Sequence, residues 1–255
     1  MKSYGAYLID LDGTIYRGNQ VIDEAPGFIR WLKNQDIPFL FLTNNSSLPP
    51  QKVAQKLQGM GIACETENVF TTSMAAAEYI HLNLGKRVYA IGEEGLVSAL
   101  QEQGCELTED HPEVVVIGID RQFTYEKMAK ASLAIQQGAV FLSTNSDRAV
   151  PTERGLVPGN GALTASIQTA SGTAPIFIGK PEALFVELAL QKLKVKAKDV
   201  LLIGDNLHTD ILAGVQAQVD TLLVYTGITR PEDPELERIR PTYAVHHLLE
   251  WVKQF

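Results

Sequence analysis

The chain has 255 residues, 45% of them hydrophobic and 20% charged, which is the composition of a globular protein with room for one large core or two smaller ones. A formal net charge of −8 excludes a general affinity for nucleic acid or an anionic membrane surface. Its two cysteines, Cys64 and Cys105, lie far apart without CxxC spacing, excluding a disulfide scaffold and a zinc site.

In chain order, an apolar run over Tyr4–Ile9 predicts the first strand, followed by a helix over Ala25–Gln35 and a strand over Pro38–Leu42. Helices over Pro50–Met60 and Ser73–Leu84 precede strands over Arg87–Ile91 and Glu113–Ile117. A helix over Tyr125–Gln137, a strand over Ala139–Leu142 and a helix over Leu163–Ser171 come next. The last third reads as strand Pro175–Ile178, helix Pro181–Leu193, strand Val200–Ile203, helix Asp210–Ala217 and strand Thr221–Val224, with His246-His247 in an amphipathic C-terminal helix. Alternating strands and helices predict an α/β fold with a parallel sheet, whose strands are apolar throughout because both faces are covered. No segment has the length of a membrane span, and Asp10 and Asp12 interrupt what would be the apolar part of a signal peptide, so a cytoplasmic location is expected.

Parallel sheets bind ligands at the carboxyl ends of their strands, so the residues that follow each strand carry the information. Asp10-Leu11-Asp12-Gly13-Thr14 follows the first, Thr43-Asn44-Asn45-Ser46 the second, Gly179-Lys180-Pro181 the Pro175–Ile178 run, and Gly204-Asp205-Asn206 the Val200–Ile203 run, with Asp210 five residues beyond Asp205. Four strands are thus expected to deliver these groups to one edge of one sheet. The strands between residues 87 and 142 end in less coherent groups, which hints at a separate unit.

Clustered carboxylates need a cation to coexist, and oxygen-only ligands suit hard Mg²⁺. Lys180 and Thr43 add donors for a phosphate, so the set describes Mg²⁺-assisted phosphoryl transfer. Two neighbouring acids divide the labour. One ionised against metal can attack phosphorus, while the other keeps a proton for the leaving oxygen. Taken singly, the same residues have plainer readings: Asp10 and Asp12 as a turn before Gly13, Thr43 and Asn44 as caps, Asp205 and Asp210 as caps of the next helix.

The ordered stretches "DLDGT", "LTNNS", "GKP" and "GDNLHTD" resemble the four motifs of the haloacid dehalogenase superfamily, and "STNSDRAVPTERGLVPGNGAL" resembles its NagD-like, p-nitrophenyl-phosphatase-type branch. That resemblance implies a Rossmann-like catalytic core over residues 1–82 and 177–255, with an inserted α/β cap of the C2 type over 83–176 that closes over the site. It implies Asp10 as nucleophile and Mg²⁺ ligand, and Asp12 as general acid/base with its carbonyl on the metal. Thr43, Asn44 and Lys180 are implied for the phosphoryl group, Asp205 as a metal ligand and Asp210 as its support. Asn145, Asp147 and Arg148 fall on the cap loop facing substrate, although their residue types alone describe loop architecture equally well. The expected activity is hydrolysis of a small phosphorylated metabolite (a sugar, glycolate or nucleotide phosphate) by a homodimer joined through the caps. Two alternatives stand beside it. A phosphomutase would transfer the group to a second substrate; a receiver-like signalling module would not need the acid at Asp12 or an insertion of this size.

Overall fold

A computed structural model describes residues 2–254. The first strand, β1 (Ala6–Asp10), is buried over its whole length and leads into a tight turn and the small hairpin β2 (Tyr16–Arg17) and β3 (Gln20–Val21). Helix α1 (Ala25–Asn34) starts with Pro26 in its first turn and buries Ala25, Phe28, Ile29 and Leu32, the spacing of a single helix face. Strand β4 (Phe39–Thr43), helix α2 (Pro50–Gly59) and the short strand β5 (Val69–Thr71) complete this part.

The chain then enters a second set of elements. Helix α3 (Thr72–Asn83) is capped by Thr71, whose hydroxyl accepts the Met74 N–H. Strand β6 (Arg87–Ile91), helix α4 (Glu94–Glu102), β7 (Glu106–Leu107), β8 (Val114–Ile117) and helix α5 (Tyr125–Gln136) follow. Next come β9 (Val140–Ser143), the hairpin β10 (Ala149–Thr152) and β11 (Gly155–Pro158), helix α6 (Asn160–Ser171) and β12 (Ile176–Phe177). The return passage holds α7 (Ala183–Leu193), β13 (Val200–Gly204), a π-helical turn over Leu207–Ile211 running into α8 (Leu212–Gln216), β14 (Asp220–Val224), β15 (Tyr243–Val245) and α9 (Leu248–Val252).

Contacts divide these elements into two compact units. The first holds residues 2–43, 50–70 and 180–254; the second holds 44–49 and 71–179. The first is built on a six-stranded sheet of order β15-β14-β13-β1-β4-β5, with β1 parallel to both β13 and β4. The second has its own five-stranded sheet, β12-β9-β8-β6-β7, parallel throughout. Its core joins Tyr89, Ile91, Val115, Ile117 and Phe141 of that sheet to Ala131, Ile135 and Ile167 of α5 and α6. Helix α3 belongs to this unit, where Thr72 Oγ1 donates to the Asn44 carbonyl and Ser73 Oγ to that of Ser46.

The parallel α/β expectation holds for both sheets. One detail is corrected: the Pro175–Ile178 run supplies β12, which pairs with β9 in the second sheet and not with β1, β4 or β13. An apolar run specifies a strand but not its partner, and only three strand ends, not four, meet at one edge of the first sheet. His246 and His247 also precede the C-terminal helix rather than lying in it, with His247 at its cap position. Among the described residues no helix is long and apolar enough to cross a membrane.

Helix α7 docks on the edge strand β5 through Phe185, fully buried and stacked on Phe70 with ring centroids 5.4 Å apart. Truncation by Phe185→Ala is expected to cost about 3–5 kcal/mol of folding stability, read from denaturant midpoints at constant m-value.

Candidate active site

Three chain segments from distant parts of the sequence converge on a single ammonium group. The register of the first sheet sets Ile9 beside Ile203 and Asp10 beside Leu42, so Asp10, Thr43 and Asp205 all emerge at the same edge. Lys180, in the segment leading into α7, is almost wholly buried there. Its Nζ donates to Asp10 Oδ1, to Asp210 Oδ1 at 2.7 Å and to the Leu42 carbonyl at 3.2 Å. A buried ammonium presents three N–H groups that must be met, and here carboxylates and a strand-end carbonyl meet them.

Asp210 sits on the π-helical turn after β13. Its Oδ2 accepts the Asn206 N–H at 3.2 Å, while Asn206, not Asp205 or Asp210, caps the turn by accepting the His208 N–H at 2.9 Å. Asp205 is held from another direction. The Ile228 N–H donates to its Oδ2 at 2.7 Å and the Thr14 hydroxyl to its Oδ1 at 3.4 Å. Glycines make room for it: Gly13, with φ +95°, lies where a Cβ would approach the Asp205 carboxylate to 2.5 Å, and a Cβ on Gly227 would overlap it outright.

Asp10, Asp205 and Asp210 thus bring carboxylate oxygens within 4.8 Å of one another. Against three buried carboxylates stands one ammonium. Burial first, then the charge of Asp210, pushes the Asp10 carboxyl well above the usual carboxylate range, with Lys180 pulling the other way. The same two causes raise Asp205 to about 7, opposed by the Ile228 N–H and Lys180. Burial alone would lower the Lys180 ammonium, but the carboxylates of Asp10 and Asp210 more than reverse this and hold it above its ordinary value. An excess of buried negative charge on oxygen donors fits a hard divalent cation, which would neutralise what Lys180 leaves.

Asp12 is exposed, stands outside the carboxylate cluster, and lies on the turn that the Gly13 N–H closes onto the Tyr16 carbonyl at 2.7 Å. Thr43 is buried at the end of β4. Asn44, Asn145 and Asp147 come together in the second unit. There the Asn145 amide donates to the Asn44 carbonyl at 2.7 Å, its oxygen accepts the Asp147 N–H at 3.1 Å, and the Asn44 amide reaches the Asp147 carboxylate at 3.3 Å. Arg148, next in the chain, is exposed. Sequence reasoning missed the segment from Thr226 to Thr229 after β14, which supplies Ile228 to Asp205. The signal was present, because a Thr-Gly-Ile-Thr stretch directly follows an apolar strand and one residue, like the other site segments.

Residues 7–106 match the family model described as haloacid dehalogenase-like hydrolase, and residues 177–251 match a second, HAD-hydrolase-like model. The chain is 49% identical over 253 residues to the 5'-nucleotidase YutF of Bacillus subtilis, covering 99% of both chains. It is 44% identical over 256 residues to an acid sugar phosphatase of Staphylococcus aureus, covering 100% of this chain and 99% of that protein. Among solved structures, it is similar to a double mutant of thermostable NPPase from Geobacillus stearothermophilus, with TM-score 0.92, 47% identity and coverage of 98% and 99%. It is also similar to NagD from E. coli K-12, with TM-score 0.91, 30% identity and 98% of each chain covered. The chain belongs to the haloacid dehalogenase-like hydrolases, in the NagD-like branch.

The raised carboxyl of Asp205 has a measurable consequence. An unfolded aspartate titrates near about 4, and folded Asp205 at about 7. Between these values the cation-free folded protein holds a proton that the unfolded chain has lost, so its stability falls as pH rises through the window and levels off above about 7. The thermal midpoint in chelator is expected to drop between about pH 4.5 and 7.5, and added divalent cation to raise it more at the upper end. A midpoint in chelator that stays flat across that range would show Asp205 ionising at its ordinary value.

Proposed function

We propose that the protein is a Mg²⁺-dependent phosphatase that hydrolyses small phosphorylated metabolites through an aspartyl-phosphate intermediate. The observation that carries this reading is the buried Lys180 ammonium joining Asp10 to Asp210 beside Asp205, at the carboxyl edge of a parallel sheet. Asp10, Asp205 and the Asp12 carbonyl, supported by Asp210, would hold Mg²⁺; when bound, the ion supplies charge neutralisation for the phosphoryl oxygens and keeps Asp10 ionised. Thr43, Asn44 and Lys180 are the donors for the phosphoryl group.

The protein's own groups carry each step. An Asp10 oxygen attacks phosphorus, and as that P–O bond forms the bond to the leaving oxygen breaks. The leaving oxygen keeps the electron pair and takes a proton from the Asp12 carboxyl. Water then attacks phosphorus and gives its proton to the Asp12 carboxylate, the bond to Asp10 breaks, and phosphate departs with Asp10 free. Exposure of Asp12 suits this role, since a group on solvent can exchange its proton between half-reactions.

The names of the relatives, a 5'-nucleotidase and an acid sugar phosphatase, support nucleotide and sugar phosphates as the substrate class. In this reading Asp147 and Arg148 contact substrate together with Asn145, whose amide is also engaged by Asn44 and Asp147. Unpaired Cys64 and Cys105 are in keeping with a reducing cytoplasm. Exposed Tyr125 and Leu156 on the second unit are in keeping with association of two copies through that unit.

Hydrolysis of p-nitrophenyl phosphate is expected to require Mg²⁺ and to fall by about 10³-fold or more in Asp10→Asn. Retention of activity in that variant would remove Asp10 from its role. Asp12→Asn is expected to lose about 10²–10⁴-fold in kcat/KM on alkyl phosphates and far less on p-nitrophenyl phosphate, whose phenolate leaves without a proton, while kcat falls on both because water attack on the aspartyl-phosphate needs Asp12 as base.

A further inference from the structure

We infer that Thr226 is a positioning residue for the general acid: it ties the turn carrying Asp12 to the loop that holds Asp205. The inference deepens the phosphatase reading and rests on the role given there to Asp12. Its starting point is that the Asp12 carboxylate receives no hydrogen bond or ion pair from any described residue. The position from which that side chain reaches out is therefore set by the backbone of its turn.

That turn is closed internally by the Ile15 and Tyr16 N–H groups on the Leu11 carbonyl, at 2.8 and 3.1 Å, and by the Gly13 N–H on the Tyr16 carbonyl. These internal bonds shape the turn, and contacts from outside orient it against the rest of the site. Beside the long bond from the Thr14 hydroxyl to Asp205 at 3.4 Å, the close outside grip comes from Thr226, which is 8% exposed and donates its hydroxyl to the Gly13 carbonyl at 2.7 Å. The Thr226 carbonyl in turn accepts Arg17 Nε at 2.5 Å, so the β2–β3 hairpin that continues from the turn is clasped by the same residue.

Two residues further on, the same loop engages Asp205 twice: Ile228 N–H donates to Oδ2, and Thr229 N–H donates to the main-chain carbonyl at 3.1 Å. Thr229 Oγ1 also accepts the Leu207 N–H at 3.1 Å, fixing the loop to the π-helical turn. Thr226 thus holds the Asp12 turn in a defined register to Asp205 across a distance in sequence of roughly two hundred residues. Proton delivery to a leaving oxygen tolerates little misplacement, and an error of about 1 Å can cost about 10²-fold in rate. None of these bonds places Thr226 on substrate, so its effect is exerted through Asp12.

The test uses the dependence on leaving group. In Thr226→Val, which keeps the shape and removes the hydroxyl, kcat/KM on an alkyl phosphate such as glycerol phosphate, which reports the steps through leaving-group departure, is expected to fall about 10- to 100-fold, while kcat/KM on p-nitrophenyl phosphate is largely kept. Thr226→Ala should behave alike, and Thr226→Ser, which restores the donor, should return to wild-type values. Equal losses of kcat/KM on both substrates, tracking a lowered thermal midpoint, would overturn the inference in favour of a purely structural threonine. Asp12→Asn serves as the reference. If it discriminates between the two leaving groups and Thr226→Val does not, the positioning role fails and the general-acid reading stands. If Asp12→Asn itself shows no discrimination, both fall together.

Discussion

The structure depends on one buried cation. Lys180 lies in the interior with its ammonium against Asp10, Asp210 and the Leu42 carbonyl, drawn from the first strand, the turn after the thirteenth and the fourth. Removing any partner of such a group leaves an uncompensated charge in a poorly solvated place, a cost of about 3–5 kcal/mol. The segments carrying these residues are therefore bound to one arrangement more firmly than packing alone would require. The cation also only half-solves the electrostatic problem. Two carboxylates share it with Asp205 close by, and the negative charge left over suits a divalent cation.

Around that point the sheet does the positioning. β1 is central, buried on both faces, and its parallel register with β4 and β13 places Asp10, Thr43 and Asp205 at one edge without any of them needing a long side chain. Rigid strands and short exits keep the carboxylates close despite their repulsion, because the apolar cores beneath supply the folding free energy that the polar edge opposes. Glycine at positions 13 and 227 then lets two further backbones approach the Asp205 carboxylate, so that the Ile228 N–H and the Thr14 hydroxyl order it before any ligand arrives.

Much of this was readable before the fold was seen. Long apolar runs announced β1, β4, β8 and β13, and the helices over α1, α2, α3, α5 and α7 stood out by period, because burial on one face leaves a regular pattern. Short elements were not readable. β5 and β15 have three residues each, too few for a period, and their strand character comes from pairing with neighbours. β12 was read as a strand but placed in the wrong sheet, since hydrogen-bond partners leave no mark on an apolar run. The carboxylates and the lysine were found because charged residues directly behind buried strands are conspicuous. Thr226, Gly227 and Ile228 were missed because two of them act through backbone groups, which carry no residue signature.

The sequence by itself determined the class of fold, the polar residues at the strand ends and the chemistry that such residues can perform, because hydrophobic periodicity and the identity of ionisable groups are local properties. Only the tertiary structure decided that Lys180 sits between Asp10 and Asp210, that the Asn145 amide is engaged by Asn44, and that the loop after β14 completes the setting of Asp205. Those outcomes depend on which strands pair and which backbones approach. Hydrogen bonds between groups far apart in the chain are settled by the folded geometry, not by any residue on its own.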